Sequence, residues 1–209
     1  VYVQDPSARL AAMAAGAKPG MRVLDCCAAP GGKSFAAAIA MQNEGSVTSC
    51  DIHAHKVSLI EKGAARLGVS IVHAQQADAS QFEPEFEAGF DVVIADVPCS
   101  GLGVIRKKPD IRYKDLAPMQ KLPQVQAAIL ENVSRYVKPG GVLVYSTCTV
   151  LKRENENVAN AFLAHHPEFR LEVFALPAGL DAQTDGMLTL YPHLHEADGF
   201  FICKLRKNV

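Results

Sequence analysis

The chain has 209 residues, a formal net charge of −1, and 49% hydrophobic against 21% charged residues. That suits one domain around a full hydrophobic core and excludes a disordered chain. Near-neutral charge excludes nucleic-acid binding over the whole surface, so any such contact is a local patch or belongs to another domain.

Taken in chain order, apolar runs alternate with helical patterns. Arg22–Cys26 (RVLDC) reads as a strand, and the Ala-rich Lys33–Met41 as a helix. Ser46–Asp51 is the next strand. Ala54–Leu67 follows with an apolar stripe through Val57, Ile60, Ala64 and Leu67, the period of a helix. Ile71–Ala74 and Asp91–Asp96 are strands, Ala117–Val137 a helix, Val142–Thr147 a strand, and Glu154–His165 a helix. Turn signals at Lys18-Pro19-Gly20, Leu67-Gly68 and Lys138-Pro139-Gly140-Gly141 separate them. Strands of nearly continuous apolar residues are those buried on both faces of a parallel sheet. The alternation predicts a doubly wound α/β fold. Leu171–Leu205 differs: Gly186, Pro192 and Gly199 break it into short strands and turns, which predicts an antiparallel hairpin ending in Phe200–Leu205.

The apolar runs are too short to cross a membrane, and no secretory signal opens the chain. The first residue is Val rather than Met, as expected of a fragment of a longer protein. Of six cysteines, Cys26 and Cys27 are adjacent and Cys50 and Cys203 sit in apolar strand-like runs. No CxxC pair or His/Cys cluster appears, so a reduced, cytoplasmic protein without a metal is expected. His193 and His195 flank Leu194 without further ligands, and a structural role is expected for both.

The first strand ends in Asp25-Cys26-Cys27-Ala28-Ala29-Pro30-Gly31-Gly32-Lys33, and a helix follows. Ligands of open α/β sheets bind beyond the carboxyl ends of strands, and small residues let them approach the backbone. The loop is neither GxGxxG nor GxxxxGK[ST], which favours a cofactor without phosphate. Asp51 ends the second strand, where an acid accepts from ribose hydroxyls; Asp78 follows the third, within reach of an adenine edge. Each acid alone is equally a loop cap. After successive strands they outline a nucleoside site.

The fourth strand runs into Asp96-Val97-Pro98-Cys99-Ser100-Gly101, the fifth into Ser146-Thr147-Cys148-Thr149. A packing cysteine sits inside an element; these two sit on the loops that carry function. A rim thiolate adding to C6 of cytosine makes C5 nucleophilic toward a sulfonium methyl. Asp96 could hydrogen-bond the base, and Lys33 could lower a thiol pKa or position the base. Chemistry alone allows either cysteine to attack. Between the two loops lies Arg106-Lys107-Lys108-Pro109-Asp110-Ile111-Arg112-Tyr113-Lys114. Arg106, Lys107, Lys108, Arg112 and Lys114 for phosphates and Tyr113 for stacking suit single-stranded RNA with an unstacked cytosine. Glu154-Asn155-Glu156-Asn157 is expected to open a helix as a cap-like pattern.

These stretches resemble the Sun/Fmu-type RNA (cytosine-5) methyltransferases, and among them the bacterial branch acting on 16S ribosomal RNA. The likeness rests on Gln4-Asp5, Cys27–Lys33 (CAAPGGK), Asp51, Asp78, Asp96–Tyr113 (DVPCSGLGVIRKKPDIRY), Tyr145–Val150 (YSTCTV) with Glu154–Val158 (ENENV), and His195–Phe201 (HEADGFF). The resemblance implies a Rossmann-like seven-stranded, mostly parallel sheet with an antiparallel C-terminal strand, and S-adenosylmethionine as cofactor. It implies that Cys27, Ala28, Ala29, Pro30, Gly31, Gly32, Lys33, Asp51, Asp78 and Asp96 line the cofactor site. Cys148 would be the nucleophile and Cys99 would assist product release. Pro6-Ser7-Ala8 departs from the family's usual residues after Gln-Asp. Residues 1–209 would be the catalytic domain, without the N-terminal RNA-binding domain that the ribosomal branch carries, and a monomer is expected. Two rival readings remain: a DNA cytosine-5 methyltransferase attacking through Cys99, with Glu156-Asn157-Val158 as its Glu-Asn-Val motif, and a non-catalytic ribosome-assembly module that binds RNA.

Overall fold

The computed structural model describes residues 2–115, 117–177 and 184–209. Eight strands form one sheet: β1 (Arg22–Asp25), β2 (Ser46–Asp51), β3 (Val72–Gln76), β4 (Phe90–Asp96), β5 (Val137–Thr147), β6 (Phe169–Leu171), β7 (Met187–Leu190) and β8 (Phe200–Lys207). Their order is β3-β2-β1-β4-β5-β8-β6, with β7 also on β8. β1 to β5 pair in parallel. β8 runs antiparallel to β5, β6 and β7. β6 pairs with residues 205–207 of β8 and β7 with residues 200–203. The two therefore lie end to end on one edge and share the seventh place in the sheet.

Six helices cover it: α1 (Pro6–Ala15), α2 (Gly32–Ala40), α3 (Ala54–Leu67), α4 (Leu122–Ser134), α5 (Glu156–His165) and the single turn α6 (Pro192–His195). Strand side chains alternate between two cores. Val23, Val92, Ile94 and Val144 face Leu10, Phe35 and Ile60 of α1, α2 and α3. Leu24, Val93, Leu143 and Tyr145 face Ile129, Leu130 and Phe162 of α4 and α5. Buried on both sides, these strands need apolar residues at every position, which is why they read as continuous runs.

Four expectations are corrected. Helix α1 was not anticipated, although Asp5 caps it by accepting the Ser7 amide at 2.9 Å and Gly16 ends it at φ 67°. The helix expected over 117–137 is a 3₁₀ turn (Ala117–Lys121) and then α4, and Val137 already belongs to β5. Lys138–Gly141 is a bulge within that strand: Phe90 pairs with Val137, and Val92 with Val142. The third strand lies at Val72–Gln76 rather than Ile71–Ala74. Within the C-terminal stretch the β7–β8 antiparallel pair is present, while residues 178–183 lie outside the described residues. Among the described residues no helix is long and apolar enough to cross a membrane.

Candidate active site

β4 and β5 are parallel neighbours, with Asp96 opposite Ser146. Chains that leave adjacent parallel strands in the same register emerge side by side, and this brings together two cysteines far apart in sequence. The sulfurs of Cys99 and Cys148 lie 3.1 Å apart as free thiols. The pair is asymmetric. A hydrogen bond from Cys99 lowers the Cys148 pKa, with help from the Lys33 charge and against burial and Asp96. Cys99 is raised by that same bond and by burial. Burial also raises Cys26, Cys27, Cys50 (to about 12) and Cys203. Cys148 is thus the one thiol of six disposed to ionise. Cys26, Cys50 and Cys203 are buried packing residues, as the sequence suggested.

Lys33 stands in the first turn of α2 and reaches Asp96 Oδ2 at 2.5 Å, while Ser146 Oγ donates to Asp96 Oδ1 at 2.8 Å. Burial pulls the Lys33 pKa down, but the charge and hydrogen bond of Asp96 outweigh it and the ammonium is retained. It also lies 5.4 Å from the Phe200 ring centroid. Lys33 therefore has a fixed address beside Asp96, with its charge felt at Cys148.

A cleft of about 230 Å³ opens beside these residues, lined by Tyr2, Gln4, Asp25, Pro30, Lys33 and Asp96, together with Cys27, Ala28, Ala29 and Gly32. The Ala29–Pro30 peptide is cis, and Gly31 has φ 108°. A Cβ on Gly31 would also come within 2.4 Å of the Phe35 ring, so glycine is required there. Asp25 was not singled out from the sequence, yet it is fully buried and in the cleft wall. Its Oδ2 accepts from Ser34 Oγ at 2.7 Å, backed by Ser49 Oγ at 2.8 Å, and its Oδ1 has no partner. Burial raises its pKa to about 6. The available signal was its place, a carboxylate closing an apolar strand directly before the glycine loop.

Asp51 accepts from the His53 amide at 3.0 Å and stands 3.8 Å from Lys56 Nζ. Asp78 Oδ1 accepts from the Ser80 amide and hydroxyl at 2.9 and 2.7 Å. Both acids lie at the carboxyl edge, with Asp25 and Asp96. Of these four acids Asp25 and Asp96 line the cleft of about 230 Å³ and Asp51 and Asp78 do not; its small residues and the orphaned buried oxygen of Asp25 fit a positively charged ligand.

A second, open cleft of about 580 Å³ is lined by both thiols. Cys99, Cys148, Ile111, Lys108, Tyr113 and Lys114 are in its walls, with Asp110. Tyr113 is 77% exposed, and Arg112 stacks over its ring at 4.8 Å. Lys114 Nζ donates to the Ser100 carbonyl at 3.2 Å. Arg106 is exposed at the end of a 3₁₀ turn. Lys107 is committed elsewhere, reaching Asp5 at 2.5 Å and Asp198 at 2.9 Å.

Three distant segments meet behind the thiols. The Gly103 amide donates to the Cys148 carbonyl at 3.0 Å, and the Gly199 amide to the Gly103 carbonyl at 2.8 Å. A Cβ on Gly103 would sit 1.9 Å from the Gly199 oxygen, so no side chain fits. The expected opening of a helix at 154–157 is borne out in part: Asn155 stands at the N-cap position and Glu156 in the first turn, but no side-chain cap forms. Helix α5 begins at Glu156, and Glu154 and Asn155 are fully buried beneath the cysteine loops. His195 accepts the Tyr191 amide at 2.9 Å, a structural role. Among the described residues no group of three or more His, Cys, Asp or Glu is placed to hold a metal.

The profile of the 16S rRNA methyltransferase RsmB/F family matches residues 12–206. The chain belongs to this family. It is 46% identical, over its whole length, to the probable ribosomal RNA small subunit methyltransferase B of Bacillus subtilis (strain 168), of which it covers 48%. It is 34% identical to ribosomal RNA small subunit methyltransferase F of Erwinia tasmaniensis, with 99% of this chain and 45% of that protein covered. The chain spans about half the length of the curated relatives it matches. Its fold is similar to NSun6 from Pyrococcus horikoshii solved with SFG, an S-adenosylmethionine analogue: TM-score 0.84, 31% identity, 99% of this chain and 53% of that chain. The RsmB/F cofactor is S-adenosylmethionine.

Proposed function

We propose that this chain is the catalytic domain of a cytoplasmic, monomeric RNA cytosine-5 methyltransferase acting on 16S ribosomal RNA, with Cys148 as covalent nucleophile. The observation that carries the reading is the pair of thiols 3.1 Å apart in the wall of one of two clefts. One cleft is acidic and suits the cofactor. The other, with lysines and an exposed tyrosine, suits an unstacked base and its phosphates.

S-adenosylmethionine, when bound, supplies an electrophilic methyl on its sulfonium. The Cys148 thiolate adds to C6 of the cytosine, and the C5–C6 π pair moves to make C5 nucleophilic. Asp96, held by Lys33 and Ser146, faces the base and stabilises the charge that develops on it. Once C5 is methylated, the C5 proton leaves to solvent water and the electron pair left behind expels Cys148 from C6, with the Cys99 thiol placed to hydrogen-bond the departing thiolate. Arg106, Lys107, Lys108, Arg112, Tyr113 and Lys114 form the proposed RNA contact, and Lys107 acts by fixing the loop rather than by meeting phosphate. Cys27–Lys33, Asp51, Asp78 and Asp96 are the proposed cofactor contacts, and Asp25 joins them. An N-terminal RNA-binding domain in the full-length protein would share the work of substrate affinity.

The test is adduct formation by the full-length protein on 16S ribosomal RNA containing 5-fluorocytosine, where loss of the C5 proton is blocked. Wild type forms a denaturation-resistant adduct. Cys148→Ser forms none, and Cys99→Ser retains it. The reverse pattern assigns attack to Cys99, the chemistry of the DNA enzymes. Absence of methyl transfer by wild type makes the chain a binding module. The DNA reading finds no support at Glu156-Asn157-Val158: Glu156 accepts from Thr189 Oγ1 at 2.9 Å, and Asn157 is exposed on α5.

A further inference from the structure

The residues on either side of each reactive thiol are held by three buried side chains. The carbonyl of Pro98, just before Cys99, accepts from Gln126 Nε2 at 2.9 Å. The amide of Ser100, just after Cys99, donates to Glu154 Oε2 at 2.9 Å. Gln126 Nε2 and Glu154 Oε2 are themselves bonded at 3.0 Å, and both side chains are fully buried. On the other loop, Thr147 Oγ1 donates to Asn155 Oδ1 at 2.6 Å, and Asn155 Nδ2 donates to the Thr149 carbonyl at 3.0 Å. Tyr145 Oη fixes the main chain between them by donating to the Glu154 carbonyl at 2.5 Å. Ser100 Oγ and Thr149 Oγ1 join the two loops directly at 2.8 Å.

We infer that Glu154 and Asn155, with Gln126, are positioning residues that set the spacing between the Cys99 and Cys148 sulfurs. Glu154 and Gln126 hold the chain on both sides of Cys99, and Asn155 holds it on both sides of Cys148. Because Glu154 and Asn155 are adjacent, the two loops are referred to a single point of the backbone. A buried carboxylate is costly unless its bonds do something, and here two of them end on a cysteine loop or its support. None of the three touches the open clefts; each acts only through the thiols' backbone. At 3.1 Å the two thiols are within hydrogen-bond distance, and Cys99 is the donor once Cys148 is ionised. Freed from Gln126 and Glu154, the Cys99 loop drifts and that donation is lost, so the Cys148 thiolate becomes harder to form.

The inference rests on Cys148 being the reactive thiol, but its test does not require methyl transfer. Iodoacetamide alkylation of the Cys148 peptide is followed by mass spectrometry across pH in the full-length protein. The groups that face Cys148 are Cys99, Asp96 and Lys33, with Lys108, Asp110, Tyr113 and Lys114 across the cleft; all are unchanged in the variants. Gln126→Ala and Glu154→Ala are expected to move the alkylation midpoint up by about one unit, and so to slow alkylation at neutral pH about tenfold. Glu154→Gln keeps an oxygen acceptor of the same shape and is expected to restore the wild-type midpoint. Circular dichroism and S-adenosylmethionine binding report folding separately. Should Glu154→Ala not fold, Gln126→Ala and Glu154→Gln decide alone. An unmoved midpoint in folded Gln126→Ala overturns the inference, as does Glu154→Gln behaving like a disrupted variant. A shifted midpoint in a protein that transfers no methyl keeps the positioning role and sinks only the proposed reaction.

Discussion

The two edges of the sheet handle charge in opposite ways. At the edge where β1 and β4 begin, Asp91 accepts from the Arg22 amide at 2.7 Å and from Lys138 Nζ at 2.8 Å. Burial pulls its carboxyl up, but those bonds outweigh it and hold it below the usual carboxylate range. Nearby, Glu172 lies between Arg206 and Lys204, which hold its pKa at about 2. At the opposite edge Asp25 keeps an unpartnered oxygen and a pKa of about 6, and two thiols lie at hydrogen-bond distance with unequal acidity. One edge is neutralised and contributes to folding. The other is left unsatisfied, the condition in which a ligand or reacting base gains from binding.

Substitutions should therefore separate activity from stability according to edge. The largest effect is expected for Cys148→Ser, which should reduce methyl transfer by roughly 10³-fold or more while leaving the unfolding midpoint within about 0.5 kcal/mol of wild type. Loss of stability comparable to the loss of activity would break the comparison. Lys33→Ala should follow, slowing transfer by about 10²-fold through loss of the charge beside Asp96 and Cys148. Its acid limb in a pH–rate profile should move upward, because the Cys148 thiolate loses a cation that favours it.

Asp25→Asn should do what few active-site changes do and stabilise the unliganded protein. The folded-state pKa of about 6 lies above the ordinary value of 3.8. Folding thus favours the protonated form, and stability falls as pH rises through this window. The shift of roughly two units corresponds to a cost on the order of 3 kcal/mol at neutral pH. Urea unfolding at pH 8 should show Asp25→Asn more stable by about 1–3 kcal/mol, with the gain vanishing toward pH 4. Titration calorimetry should show weaker S-adenosylmethionine binding. Equal stability of the two proteins at pH 8 would remove Asp25 from the unsatisfied edge.

The smallest effect is expected for Glu172→Gln, a loss of about 1 kcal/mol at neutral pH with methyl transfer unchanged. Its sign is opposite to that of Asp25. A carboxyl held at about 2 stabilises above the ordinary glutamate range, and the contribution is lost as pH falls toward 2. The difference between variant and wild type should also shrink in high salt.

What could be read from the sequence follows the range of the forces involved. β4 was legible because burial on both faces calls for a nearly continuous apolar run, a signal written locally, while β1 and β2 showed it through Val23 and Leu24 and through Val47 and Cys50. Asp5, Pro6 and Gly16 also mark the limits of α1 locally, in a cap, a first-turn proline and a left-handed glycine, a signal that the Gln4-Asp5 motif masks. The start of β5 was hidden because Lys138–Gly141 has the composition of a turn, and only its pairing with β4 makes it a strand with a bulge. The cysteine loops could be placed at strand ends, but the 3.1 Å between the sulfurs depends on a register between strands far apart in the chain. Glu154 and Asn155 were the hardest to read. A polar pair before a helix looks like a cap, and only tertiary packing shows that it is fully buried beneath the two loops.

The meeting of Gly103, Cys148 and Gly199 bears on the order in which the protein is made. Domains fold as the chain is synthesised, amino end first. The parallel strands that carry both thiols are complete once β5 has emerged. Gly199, which bonds to Gly103 and borders β8, is added after them. A nascent chain can thus hold most of its core and both cysteines before its rim is latched. The latch that joins Cys148 to Gly103 and Gly199 is therefore completed after the strands it closes over.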